Sequence, residues 1–325
     1  MRSKILVARA IFPDVIDRLN AVFDVESNQE DRIFTDKELA EKIRDKDGLF
    51  ITSSERIDVT AMAAAPKLRA ICNMAVGFNN IDLDAATAAG IMVTNTPDVL
   101  NQTTADLAWA LLMAAARRIT ESEHWLRAGK WDKWRYDAML GADVHGSILG
   151  IVGMGRIGQA IARRSIGFDM QVIYHNRSRL SPDQEAQANS AVYVDKESLL
   201  RNADHVVLVL PYSAESHHTI GSRELSMMKP TATLVNVARG GIVDDVALIK
   251  ALRCGTIAAA GLDVFENEPA LHPDFLGLSN VVLTPHIGSA SEPTRRAMAE
   301  CAAANLTAAL SGQRPPNLLN RFVSA

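Results

Sequence analysis

The segment from Ser147 to Ser178, SILGIVGMGRIGQAIARRSIGFDMQVIYHNRS, constrains the fold more than any other stretch of the chain. It opens with an apolar run, Ile148–Val152, of the length and composition of a buried strand. Gly153, Gly155 and Gly158 follow at G-x-G-x-x-G spacing, and a helical pattern continues through Arg156 and Ile157 to Arg164. A second apolar run, Met170–Tyr174, ends in His175, Asn176, Arg177 and Ser178. Three glycines alone would carry little, because the chain holds 19. Placed between a strand and a helix, with a second strand after them, they predict a dinucleotide-binding turn. The first glycine permits the tight turn, the second lets the backbone approach a pyrophosphate, and the third lets helix and strand pack closely. The N–H groups and dipole at the start of the new helix then hold the anion. The competing reading is a tight strand-to-helix turn that binds nothing.

The remainder of the chain repeats the alternation. With 325 residues there is room for about two domains, each with its own core. Ahead of the glycine segment, strand candidates are Lys4–Ala8, Phe23–Glu26, Gly48–Ile51, Leu68–Asn73 and Ile91–Thr94, with helix-like stretches at Thr35–Asp45 and Thr60–Ala65. Strands alternating with helices predict a parallel sheet covered by helices, hence a first α/β domain. Thr96-Pro97-Asp98 marks a candidate domain boundary. Val99–Leu126 then reads as one long helix with too many apolar positions for a single buried stripe, so a second covering surface is expected, another subunit being one candidate. Trp125, Trp131 and Trp134 follow in an aperiodic segment, as an interface or pocket wall or as core packing under a loop. An Ala-rich helix, Ser291–Leu310, closes the pattern.

Composition narrows the partners. A net charge of −4 without a basic block gives no reason to expect nucleic acid. Cys72, Cys254 and Cys301 are far apart and match no metal or redox spacing, so no metal is expected and they read as reduced thiols of a cytoplasmic protein. The basic, apolar start MRSKILVARAIF is interrupted by Arg9 and Pro13 and lacks a small-residue cleavage pattern, so a first strand is the better reading than a signal peptide. No stretch has the length and apolarity to cross a membrane.

After the glycine segment the strands end on residues with chemistry. Val206–Leu210 is closed by Pro211, and Leu234–Val237 leads into Ala238, Arg239, Gly240 and Gly241. Ala258–Leu262 ends at Asp263, with Glu268 close behind, and Val281–Thr284 precedes Pro285, His286, Ile287 and Gly288. Open α/β sheets bind ligands just outside the carboxyl ends of their strands, so Arg239, Asp263, Glu268 and His286 share one rim. Beside a dinucleotide site, this set suits hydride transfer at the carbonyl of a 2-keto acid. A planar guanidinium, Arg239, binds the substrate carboxylate and orients the ketone. His286 is the proton donor, since imidazole titrates in the useful range. Glu268 keeps that imidazole charged and oriented. Positioned proton transfer typically contributes ~10²–10⁴-fold. Taken singly, each of these residues is more simply a solvated or structural side chain; the joint placement carries the reading. Met74–Asp82, MAVGFNNID, is either a plain βα loop or a loop whose N–H groups face an anion.

At this point the sequence resembles the D-isomer-specific 2-hydroxyacid dehydrogenases. The resemblance rests on VGFNNID (76–82), GMGRIG (153–158), NVARGGIVDDVAL (236–248), AAAGLDVFENEP (258–269) and TPHIGSA (284–290), in family order over almost the whole chain. It implies an α/β protein of two Rossmann-like domains with doubly wound parallel sheets and an active-site cleft between them. The substrate domain, flavodoxin-like, would comprise residues 1–98 plus 291–325, and the dinucleotide-binding domain residues 99–290. It carries the family's catalytic Arg, Glu and His onto Arg239, Glu268 and His286. It also carries the substrate-carboxylate loop onto Val76 and Gly77, the nicotinamide-amide contact onto Asp263, and a further cofactor contact onto Thr104. Pro211, Val237, Ala238 and Gly288 are candidate cofactor contacts at the same strand ends. Within the family the chain is most similar to the glyoxylate/hydroxypyruvate reductases and the related 2-ketogluconate reductases. Trp131 and Trp134 match an arm that reaches a neighbouring subunit's active site, which makes Trp134 a candidate substrate contact. The long helix before them matches the family's dimer contact, implying a homodimer.

Charge argues the choice of cofactor. NAD-specific sites place Asp or Glu after the second strand to bond the ribose 2′-hydroxyl. Here Asn176 stands there, followed by Arg177, Ser178 and Arg179, which suit a 2′-phosphate. NADP(H) is therefore expected over NAD(H), with NAD(H) still able to bind. The expected function is NADPH-dependent reduction of small 2-keto acids to 2-hydroxy acids, the D-isomer where chiral. A 2-ketogluconate reductase and a nucleotide-sensing corepressor-like binding protein are the competing readings.

Overall fold

The computed structural model describes residues 2–320. The chain divides into two compact units, Met1–Leu100 with Ser291–Ala325, and Asn101–Ala290.

In the first unit, five short strands alternate with helices: β1 (Lys4–Val7), α1 (Pro13–Val22), β2 (Asp24–Ser27), α2 (Asp36–Ile43), β3 (Gly48–Ile51), α3 (Val59–Ala63), β4 (Ala70–Asn73), α4 (Leu83–Ala88) and β5 (Met92–Thr94). All pair in parallel, in the order β2-β1-β3-β4-β5, a doubly wound arrangement. Successive residues of β1 face opposite cores: Ile5 and Val7 join α1 and the closing helix, whereas Leu6 joins α2, α3 and α4. Burial on both faces is why β1 and β3 are apolar without alternation. The sequence offered no helix over α1, yet Pro13 in its first turn and the buried Val15, Ile16 and Leu19 explain it. Residues 318–320 return to cover the edge strand. Asn320 accepts from Val93 N–H (2.9 Å) and donates to Ile91 O (2.7 Å), imitating a strand neighbour.

The second unit begins with α5 (Asn101–Ala116) and α6 (Ile119–Arg127). Then come β6 (Ile148–Val152), α7 (Arg156–Arg164), β7 (Gln171–His175), α8 (Pro182–Gln187), β8 (Val192–Tyr193), α9 (Lys196–Asn202) and β9 (His205–Leu208). After them follow α10 (Ser222–Met227), β10 (Thr233–Asn236), α11 (Asp245–Arg253), β11 (Ala259–Leu262) and β12 (Val281–Leu283). The seven parallel strands run β12-β11-β10-β9-β6-β7-β8. Strand order therefore reverses between β6 and β9, the switch point at which such sheets bind ligands. One face is covered by α5 and α7, the other by α9, α10 and α11. In the first unit, α12 (Glu292–Leu310) closes the fold.

The single long helix expected over Val99–Leu126 is two helices. Arg118 takes a left-handed φ of 54°, and the Ala116 carbonyl accepts from Ala142 N–H (2.9 Å) instead of extending the helix. Arg118 then holds Glu121 through two N–H groups, at 2.7 and 2.8 Å. The second side of α5 is covered within its own unit by α7, so no second subunit is needed there. The apolar positions left uncovered lie farther on, at Ile119, Leu126, Trp131, Trp134 and Tyr136. Trp131 and Trp134 are 59% and 79% exposed, which rules out core packing under a loop. The fourth tryptophan, Trp109, is buried, stacks on Phe168 at 4.7 Å, and donates to Ile161 O (3.0 Å).

Candidate active site

The glycine turn links β6 to α7 at the switch point. Gly153 has φ 103°, and a Cβ there would lie 2.7 Å from the Val209 carbonyl. A Cβ on Gly158 would lie 2.4 Å from Gly153 O, so both positions are required by close backbone approach. Gly155 differs: a Cβ there would meet nothing within 4 Å. Its own chain does not demand glycine; the space stands at the head of α7, where no side chain caps the first N–H groups. That is the environment an incoming pyrophosphate needs, and the residues present fit a dinucleotide. Arg156 is exposed and Ile157 half-buried in the first helical turn.

At the end of β7, the Asn176 Oδ1 accepts Met154 N–H (2.6 Å), tying the second strand to the glycine turn. Arg177 and Ser178 are exposed. Arg179 is engaged elsewhere, donating to both carboxylate oxygens of Glu185 at 2.8 and 2.9 Å. Of the two arginines that the sequence offered to a 2′-phosphate, the structure thus commits Arg179 to the protein itself.

Beyond β10 the chain bends around Asn236. Its Oδ1 accepts Ala238 N–H (3.0 Å) and its Nδ2 donates to Arg239 O (3.2 Å). The Arg239 Nη1 donates to Ala238 O (2.7 Å). Burial pulls the guanidinium below its ordinary value while Glu268 opposes the shift; an arginine so perturbed is still a cation. Val237 and Ala238 are buried beside it, and Pro211 is exposed beyond the neighbouring β9.

Asp263, directly after β11, organises the next loop. Its Oδ1 accepts the Thr284 hydroxyl and Ile287 N–H, both at 2.7 Å, and its Oδ2 accepts Gly288 N–H at 2.8 Å. Its backbone carbonyl accepts His286 N–H (2.9 Å). These bonds hold His286 at φ 54°, a region non-glycine residues seldom occupy. Burial pushes the Asp263 carboxyl up, and its hydrogen bonds and the nearby His286 only partly offset that. Thr104, buried on α5, lies beside Gly288, whose added Cβ would fall 3.7 Å from the Thr104 Oγ1.

Glu268 meets His286 from the other side. The His286 Nδ1 lies 2.7 Å from the Glu268 Oε2, and the second Glu268 oxygen accepts Phe265 N–H (2.9 Å). Burial raises the Glu268 carboxyl, but the bond to His286, its charge, the Phe265 N–H and Arg239 outweigh it and hold the group below the usual carboxylate value. With Nδ1 turned to a carboxylate, Nε2 is the imidazole nitrogen left to exchange a proton with a ligand.

Within this unit, Arg239, Glu268 and His286 are thus brought to one rim, with Thr104, Asp263 and Gly288 adjoining. Val76 and Gly77 belong to the first unit, where Asn95 donates to Val76 O and Asn73 to Gly77 O, both at 2.8 Å. Sequence reasoning missed Asn236 and Thr284, which position Arg239 and Asp263. For Asn236 a signal existed: an amide ending the strand TLVN directly after the apolar pair Leu234 and Val235. It also missed Asp245, whose Oδ2 accepts Glu266 N–H (3.1 Å) and whose carboxyl burial pushes up to about 6.

Residues 109–288 match the family described as D-isomer specific 2-hydroxyacid dehydrogenase, NAD binding domain. A glyoxylate reductase of Thermococcus onnurineus (strain NA1) is 48% identical over 327 aligned positions, covering 99% of this chain and 97% of its own. An NADPH-dependent glyoxylate/hydroxypyruvate reductase from Sinorhizobium meliloti, solved with NADP and malonate, superposes with TM-score 0.88 at 34% identity, covering 100% of this chain and 98% of that one. A glyoxylate reductase from Paecilomyes thermophila gives TM-score 0.88 at 33% identity, with 98% of each chain covered. No helix among the described residues is long and apolar enough to cross a membrane.

Proposed function

The chain belongs to the D-isomer specific 2-hydroxyacid dehydrogenase family, and from that footing we propose that it reduces glyoxylate, hydroxypyruvate and similarly small 2-keto acids with NADPH. The observation that carries the reading is the 2.7 Å pairing of the His286 Nδ1 with Glu268 on the rim that also bears Arg239. The names of the archaeal, bacterial and fungal relatives support the substrate class.

When bound, the nicotinamide supplies a hydride to the substrate's carbonyl carbon. The residues of the chain do the rest. Arg239 binds the substrate carboxylate through its planar fork of donors and sets the ketone's orientation. His286 gives its Nε2 proton to the carbonyl oxygen as charge develops there, leaving neutral imidazole. Glu268, held below the usual carboxylate value by His286, Phe265 N–H and Arg239, fixes the ring by its bond to Nδ1 and so aims Nε2 at the carbonyl oxygen. Oxidation of the 2-hydroxy acid runs the same proton in reverse. Thr104, Gly153, Gly155, Arg156, Ile157, Gly158, Asn176, Arg177, Ser178, Pro211, Val237, Ala238, Asp263 and Gly288 are the proposed cofactor contacts. Val76 and Gly77 are the proposed carboxylate loop of the first unit. A homodimer, in which Trp134 serves a neighbouring copy, completes the proposal.

The test is a kinetic panel crossing NADPH and NADH with glyoxylate, hydroxypyruvate, pyruvate and 2-ketogluconate, run on wild type, His286→Ala and Arg239→Ala. We expect NADPH with the two-carbon and three-carbon acids to give the highest kcat/KM, and both variants to lose turnover while NADPH still binds. Wild-type-like turnover by either variant would remove the mechanism, and a preference for 2-ketogluconate would replace the substrate.

A further inference from the structure

A second cluster of ligating side chains lies apart from the proton donor. His217 and His218 follow a short helical turn, Ala214–Ser216, and their rings stack at 3.8 Å between centroids. The His218 Nε2 lies 2.5 Å from the Glu266 Oε1, and the Tyr212 hydroxyl lies 3.2 Å from the His217 Nδ1. One nitrogen of each imidazole and one oxygen of Glu266 fall within 4.8 Å of one another. Both histidines are exposed and Glu266 is half-buried.

We propose that His217, His218 and Glu266 form a binding site for a divalent transition-metal ion of the zinc class. Two imidazoles and a carboxylate are a common donor set for zinc, with a fourth position left to water. Calcium and magnesium demand oxygen ligands throughout, and the paired imidazoles select against them. Ligand atoms around a tetrahedral zinc stand roughly 3.4 Å apart, given metal–nitrogen bonds of ~2.0–2.1 Å. The observed spread of up to 4.8 Å closes by small rotations of exposed side chains. Their exposure also lets an ion enter directly from solvent.

The backbone beneath the cluster is already fixed. His218 N–H donates to Gly241 O (2.7 Å), and His217 N–H to Ser213 O (3.0 Å). Glu266 N–H is held by the Asp245 carboxylate at 3.1 Å. The three donors therefore need no chain rearrangement to converge. Gly241 lies two residues past Arg239, and Glu266 two residues before Glu268. An ion there would tie the His217–His218 segment to the Glu266 loop, and through the His218 N–H bond to Gly241 O it would adjoin the turn that carries Arg239. Sequence spacing hides the site because Glu266 is remote from the histidine pair along the chain.

Isothermal titration of the full-length protein with Zn²⁺ tests the proposal without reference to turnover. One saturable equivalent is expected, weakened by roughly tenfold or more in His217→Ala and in Glu266→Gln, and unchanged in Cys254→Ser, which removes an exposed thiol. Co²⁺ serves as a second probe: its visible absorption when bound by imidazole should appear with wild type and vanish in His218→Asn, asparagine being a residue that tolerates the φ of 50° at that position. If His218→Asn does not fold, the His217→Ala titration decides alone. Absence of saturable Zn²⁺ binding below millimolar ion, or binding that survives His217→Ala and Glu266→Gln undiminished, would overturn the site.

Discussion

A methyl group on Gly240 would lie 1.7 Å from the carbonyl oxygen of Phe265. The turn after β10, which carries Arg239, therefore runs in backbone contact with the loop after β11, which carries Glu268. Only hydrogen fits between them. The spacing of guanidinium and carboxylate is set by this contact as much as by their own side chains.

Gly240→Ala must part the two segments, because the obstacle is backbone and cannot rotate away. We expect a loss of about 1–3 kcal/mol in urea unfolding, as for other overpacked sites. The larger effect should be on turnover, since a misplacement near 1 Å costs roughly 10²-fold. A folded variant with wild-type kcat would show that the two segments need not touch.

Asn176→Asp keeps the oxygen that accepts Met154 N–H at 2.6 Å, so the glycine turn should survive. The added charge faces the proposed 2′-phosphate. At an effective dielectric suited to protein surfaces, like charges so close repel strongly enough to cost about tenfold or more in affinity. We predict that kcat/KM for NADPH falls and that for NADH holds or rises. An unchanged ratio of the two would mean that Asn176 does not read the ribose.

The Glu185 carboxyl is held down at about 2, first by Arg179 and then by the Tyr174 hydroxyl, from an ordinary value of 4.5. The folded chain thus binds fewer protons at this group than the unfolded chain across that interval. Its contribution to stability is fully present above 4.5 and is lost as pH falls toward about 2. Glu185→Gln should therefore lose less stability than wild type on acidification through that window, measured by urea midpoint at each pH. Parallel curves for the two proteins would contradict the pairing.

Trp134 is 79% exposed, so Trp134→Ala should shift unfolding by less than about 0.5 kcal/mol. If the side chain serves a neighbouring copy, as proposed, KM for the keto acid rises while the melting temperature stays put. Sedimentation of wild type should report a dimer. A monomer with full activity would leave the tryptophan without that role.

Much of this architecture could be read before any coordinates. β3, β4, β9, β10 and β11 are buried along their whole length, so each appears in the sequence as a short, mainly apolar run, with polar residues only at the strand ends. The helices were harder. α4 has six residues and buries only Ala86, so periodicity alone did not find it. β8 has only two residues, Val192 and Tyr193, and no pattern of that length can be distinguished from a loop.

The site divides along the same line. Local sequence determined which residues stand at strand ends, because a buried strand must stop where polar or glycine-rich chain begins. It also marked the turn at Gly153 by its glycine spacing, although the obstacle that demands glycine there, the Val209 backbone, comes from a neighbouring strand. Tertiary structure decided what strand ends cannot announce: that α5 stops where Ala142 takes the Ala116 carbonyl, that Glu185 claims Arg179, and that His286 meets Glu268. Each of these is a contact between groups that the chain keeps apart. Hydrogen bonds and ion pairs are short-ranged, and which partners come within reach depends on how the sheet stacks its crossovers.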